Sequence, residues 1–147
     1  MAKLFAENDF VFVKFNFSYN VVTPQNPMSF DDLEAFGNNN YIIELEDLHL
    51  VINWVLENSE LAAEIDKDRI NLTGHSRGGG ISVLKAAEDK RISKLVTWAS
   101  VSDFINRNKV KAIQTWKDKG IVYTFNKRTN QQIPQYLQFC VFCPFFI

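Results

Sequence analysis

Gly74-His75-Ser76-Arg77-Gly78 is the stretch of this chain best suited to chemistry. It matches G-x-S-x-G, a spacing that random chains of this length reach in roughly one case in twenty. Its neighbours sharpen the signal. Arg69 to Thr73 reads as a short buried strand, and Ile81 to Asp89 reads as a helix, with Gly74 to Gly80 as the turn between them. Where a strand turns directly into a helix, backbone packs on backbone. Glycines are therefore expected at 74 and 78, because side chains there would collide with the strand or the helix. Ser76 should sit in a strained conformation, its hydroxyl at the carboxyl edge of the sheet, where ligands bind in open α/β folds. The following helix would aim its positive end and free N–H groups at the same place, the N–H of Arg77 among them. Such a hydroxyl attacks an ester or amide carbonyl if a base takes its proton. The plainer reading is a close turn in which Ser76 only caps the helix.

Other elements must hold that turn. Ala2 to Asn8 resembles the last turns of a helix, and Phe10 to Phe17, rich in Val and Phe, reads as a strand covered on both faces. Ser18 to Asn40 reads as loop, with Pro24, Pro27, Gly37 and three consecutive asparagines as breakers. Tyr41 to Asn58 carries Ile42, Leu45, Leu48, Ile52, Val55 and Leu56 at helical spacing, with Asn39 or Asn40 as N-cap. Glu44 and Glu46 there face the positive helix end. Lys94 to Ala99 predicts a strand, Asn106 to Lys119 a helix, and Ile121 to Phe125 a strand leading through a polar turn into Gln131 to Pro134, a small hairpin. This alternation predicts an α/β fold, a mostly parallel sheet with helices on both faces.

At these residues the chain resembles the α/β-hydrolase superfamily. It is most similar to the branch of serine esterases and peptidase-like proteins that includes dienelactone hydrolases and prolyl oligopeptidases. Asp68 to Gly80 resembles that family's fifth strand, elbow and following helix, Phe15 to Ser18 the end of an earlier strand, and Leu95 to Asp103 the next one. The resemblance implies a Ser–acid–His triad in that chain order, with Ser76 as nucleophile, the backbone N–H of Arg77 in the oxyanion hole, and Gly74, His75 and Gly78 forming the elbow. It implies an ester or peptide-like small-molecule substrate and no cofactor. Asp103 occupies an acid position that some lipases use, against the competing role of a turn or cap residue.

The implied base is a histidine after Ser76, whereas the histidines here are His49 and His75. His75 is expected beside the serine as a packed elbow residue, and His49 on the flank of its helix. The first strands and the second oxyanion donor are expected before residue 1, so the chain reads as truncated at both ends. Residues 1–136 form the partial hydrolase domain. Residues 137–147 form an atypical aromatic tail that reads as a changed frame or premature end. A catalytically inactive fragment, with a binding role or none, is the competing functional class.

Composition bounds the rest. With 147 residues, 46% apolar and 22% charged, the chain has the balance of one globular domain. A net charge of −1 gives no broad attraction to nucleic acid. No apolar run reaches the ~18 residues a membrane span needs, and the amino terminus has no secretory-signal pattern. A cytoplasmic location follows by default. Cys140 and Cys143 have C-x-x-C spacing, but no second Cys or His pair completes a four-ligand zinc site. Trp98, Trp116 and Tyr123 read as core in preference to pocket walls, and Lys127-Arg128 as a solvated turn.

Overall fold

The computed structural model of the chain describes residues 1–23, 25–27, 29–104 and 110–140, with the backbone alone for 110–112 and 140. Helix α1 spans Ala2–Ala6. Residues 10–17 form no strand, which corrects the sequence expectation. A Val- and Phe-rich pattern specifies apolar extended chain, but a strand exists only where a neighbour completes its ladder. Here Phe15 and Phe17 pack against the core while Phe10, Val11 and Val13 stay exposed. The segment is fastened at its end, where the N–H and hydroxyl of Ser18 both donate to Asp47 (2.7 and 2.9 Å).

The loop that follows contains a short helix, α2 (Leu33–Gly37), capped by Asp32, which accepts from the Ala35 N–H at 2.8 Å. Pro24 lies outside the described residues. Helix α3 (Tyr41–Glu57) begins where Asn40 accepts from the N–H groups of Ile42 and Ile43 (2.9 and 3.0 Å). These bonds satisfy donors that a helix start leaves orphaned. Tyr41, Glu44, Leu48 and Ile52 share its buried stripe, and Ile42, Leu50 and Trp54 its exposed side. A single turn, α4 (Ser59–Ala62), follows.

Strand β1 (Ile70–His75) passes directly into α5 (Ser76–Glu88), and β2 (Ile92–Trp98) returns parallel to β1. The register runs from Asn71 opposite Lys94 to His75 opposite Trp98. Helix α5 lies on this pair and α3 packs on α5. Ile81 of α5, fully buried, belongs to one core cluster with Tyr41, Leu48 and Ile52 of α3. The sheet face opposite α5 shows Thr73, His75, Val96 and Trp98 to solvent.

Helix α6 (Val110–Lys119) leads into β3 (Ile121–Asn126), which pairs antiparallel with β4 (Gln131–Tyr136) as the predicted hairpin. Residues 106–109, expected to open that helix, lie outside the described residues. The hairpin is a separate two-stranded sheet. Among the described residues the strands form two small sheets, one parallel and one antiparallel, where one mostly parallel sheet with helices on both faces was expected. The fold is mixed α/β. The hairpin is held to the loop before α2 because Gln131 brackets the backbone of Phe30, accepting at 3.1 Å and donating at 2.9 Å. Helix α7 (Leu137–Cys140) brings Phe139, assigned by sequence to the tail, into the core with Tyr41 and Trp116. Trp116 is core as expected, but Trp98 and Tyr123 are exposed.

A polar cluster joins α3 to the junction between α5 and β2. Arg91 donates to Asp89 through Nε (2.8 Å) and Nη2 (2.6 Å), and to Asn53 Oδ1 at 2.7 Å. Those bonds lower the Asp89 carboxyl from an ordinary 3.8 to about 2. A carboxyl whose folded pKa is depressed contributes stability above its unfolded value and loses it as the pH falls through its folded value. The urea midpoint should therefore drop between pH 4 and 2, and Asp89→Asn should flatten that drop. An equally steep drop in Asp89→Asn would remove this pair from the account of acid unfolding.

Candidate functional site

The turn between β1 and α5 is as tight as its sequence requires. A Cβ on Gly74 would lie 2.6 Å from the Gly78 carbonyl oxygen and 2.7 Å from the Gly79 Cα. Both are backbone atoms that cannot swing aside. Gly78 differs from expectation, since a Cβ there meets nothing within 4 Å. The crowding is one-sided: the strand's Gly74 runs under the first turn of the helix, while Gly78 turns away from the strand.

Ser76 sits at the joint with φ +54°, a left-handed value that L side chains rarely adopt. Holding it there costs about 1–3 kcal/mol, so the surrounding packing must over-determine it. Part of that packing is visible. The Ser76 carbonyl accepts from the Val101 N–H at 3.1 Å, in the loop that leaves β2. Ala99, at the matching end of β2, is also left-handed, with φ +48°. The two strand ends thus bend together at the carboxyl edge of the parallel pair.

Ser76 does not cap the helix. The N-cap of α5 is His75, and no side chain there bonds to a helix N–H. The first N–H groups of a helix have no partner within it, so those of the first turn, Arg77 included, are donors at the site.

His75 is exposed and stacks on Trp98, with ring centroids 5.5 Å apart. His49 lies on α3, where Asn53 (3.1 Å) and the Arg91 guanidinium (3.5 Å) are its partners. The two histidines therefore face the exposed sheet side and the polar cluster, and neither ring has Ser76 as a partner. Asp103 is exposed two residues beyond Val101 in the loop beside the turn. The structure thus gathers Gly74, His75, Ser76, Arg77 and Gly78 and leaves His49 apart.

Sequence reasoning missed Glu44. It is 2% exposed, on the buried stripe of α3. Arg77 Nε donates to Glu44 Oε2 at 2.9 Å, and Arg77 Nη2 lies 2.7 Å from Oε1 as an ion-pair contact without hydrogen-bond alignment. The side-chain amide of Asn39, itself buried, donates to Oε1 at 2.8 Å. Burial pushes the Glu44 carboxyl above the usual carboxylate range, against the pull of Arg77 and the Asn39 amide. The available signal was its position: Glu44 falls three residues after Tyr41 and four before Leu48, on the apolar side of the helix.

Among the described residues no group of His, Cys, Asp and Glu could hold a metal ion, and Cys143 lies outside them. No helix among them is long and apolar enough to cross a membrane. No family model matches this chain, and neither does any curated protein.

Proposed function

We propose that this chain carries the nucleophile elbow of a serine hydrolase of the α/β-hydrolase type, acting on a carboxylic ester or peptide-like small molecule. One observation carries the reading: Ser76, left-handed at φ +54°, stands between a parallel strand and a helix whose N-terminus has no side-chain cap. A residue strained at a sheet's carboxyl edge is where open α/β folds keep reactive groups.

In the proposed reaction Ser76 Oγ attacks the carbonyl carbon and its proton passes to a base. The carbonyl oxygen becomes an oxyanion, which accepts from the Arg77 N–H. Collapse breaks the bond to the alcohol or amine, which leaves with the proton from the base. Water then attacks the acyl-serine, releasing the acid and restoring the hydroxyl. The loop bearing Asp103 lies beside the turn, and Asp103 is the candidate acid. Neither histidine is assigned as base, because the partners of His49 and His75 lie elsewhere.

That same placement favours a second reading, an inactive hydrolase-like fragment. The two differ in a p-nitrophenyl acetate assay of the purified chain. The hydrolase reading expects a burst of nitrophenolate stoichiometric with chain, abolished in Ser76→Ala. A folded chain with no burst, or with a burst that Ser76→Ala retains, removes the hydrolase reading and leaves the second.

A further inference from the structure

The residue after Ser76 is anchored from outside its own helix. Its guanidinium meets the buried carboxylate of Glu44, and that carboxylate is held in turn by Asn39. The same guanidinium lies over two rings, 5.1 Å from the centroid of Tyr41 and 5.1 Å from that of Phe139. Those rings are 4.9 Å apart, and Tyr41 also packs edge-on against Phe104, in the loop beside the turn. An arginine fitted to both a carboxylate and two aromatic faces has little freedom left, because its planar fork fixes direction as well as distance.

We infer that Glu44 is a positioning residue: through the Arg77 guanidinium it fixes the first turn of α5, and with it the Arg77 N–H and the Ser76 hydroxyl. The inference rests on the hydrolase reading for its chemical meaning, though the clamp itself is independent of it. The contact acts by leverage. Glu44 is in the first turn of α3 and Arg77 in the first turn of α5, so the contact ties two helix starts together. Ser76 is strained and needs such a tie. The pair is a poor source of global stability. Burial already disfavours the ionised Glu44, a buried ion pair gains little over its desolvation cost, and Arg77, with 28% of its side chain exposed, can turn to water when the carboxylate is neutralised.

Two readouts test it in the full chain. One is amide hydrogen exchange of peptides covering residues 74–82. The other is the rate of fluorophosphonate labelling. Glu44→Gln keeps the shape and an amide contact but removes the charge. It should speed exchange in 74–82 by about tenfold or more, as expected for losing one charge-assisted hydrogen bond. It should slow labelling by a similar factor and leave the melting temperature within a few degrees. Arg77→Lys, which keeps the charge but not the fork, should do the same if Glu44→Gln does not fold. The double variant Glu44→Gln/Arg77→Lys should be no worse than either single variant, because all three break one contact.

Unchanged exchange in 74–82 overturns the positioning role whatever the labelling does. Faster exchange across the whole chain with a falling melting temperature also overturns it, since the pair would then be merely structural. If the wild-type chain takes no label while exchange in 74–82 responds to Glu44→Gln, the hydrolase reading fails and the clamp stands.

Discussion

Gly74→Ala is expected to cost about 3 kcal/mol of folding stability, the upper end of the range for core overpacking. The added methyl would stand 2.6 Å from the Gly78 carbonyl oxygen and 2.7 Å from the Gly79 Cα. Relief requires the strand and the helix to separate. Yet the strand is locked in register with β2, and the helix is held by Ile81 in the core. Typical domains have only about 5–15 kcal/mol in hand, so much of the stability would go. Gly78→Ala is the control. Its methyl meets nothing within 4 Å, and alanine is the better helix former by about 1 kcal/mol. Urea denaturation should separate the two sharply. Equal losses would mean that the turn is not built as described.

Trp116→Ala is expected to cost about 3–5 kcal/mol, as other large-to-small changes of buried aromatics do. Trp116 is 1% exposed, and its indole N–H donates to the Gln135 carbonyl at 2.7 Å. It therefore ties α6 to the hairpin by packing and by a bond. Trp116→Phe separates the two contributions: it keeps most of the packing and should lose about 1 kcal/mol for the bond. The loss should also reach the turn after Ser76, because Trp116 packs near Phe139, one of the rings against Arg77. If thermal melting shows Trp116→Ala to be as stable as Trp116→Phe, the hairpin is not docked through this side chain.

The sequence made some of this legible and hid the rest for physical reasons. Helix α3 could be read because apolar residues at a spacing of three and four, behind an asparagine that accepts two N–H bonds, have few other solutions. Strands β1 and β2 were visible as short apolar runs bounded by turns. The start of α5 was not. Gly78, Gly79 and Gly80 disfavour helix by propensity, so the run reads as loop, although packing places all three inside the helix from Ser76 onward. Residues 10–17 misled in the opposite direction, because composition cannot supply the neighbour that a strand needs. Glu44 was hidden by its own plausibility. An acidic residue in a first turn is favourable on electrostatic grounds alone, which masks its place on the buried stripe. At the turn, the crowding at Gly74 follows from a strand that passes straight into a helix, but the open space beside Gly78 depends on which way the helix leaves the strand.

The reactivity of Ser76 decides whether this turn is a nucleophile elbow. Intact-mass analysis of the purified, folded chain after exposure to a fluorophosphonate, beside Ser76→Ala, measures this directly. One phosphonyl adduct per chain is expected, located on Ser76 by peptide mapping and absent in Ser76→Ala. A folded wild-type chain that takes no adduct, or takes it on another residue, would contradict the claim that this strained turn is a nucleophile elbow.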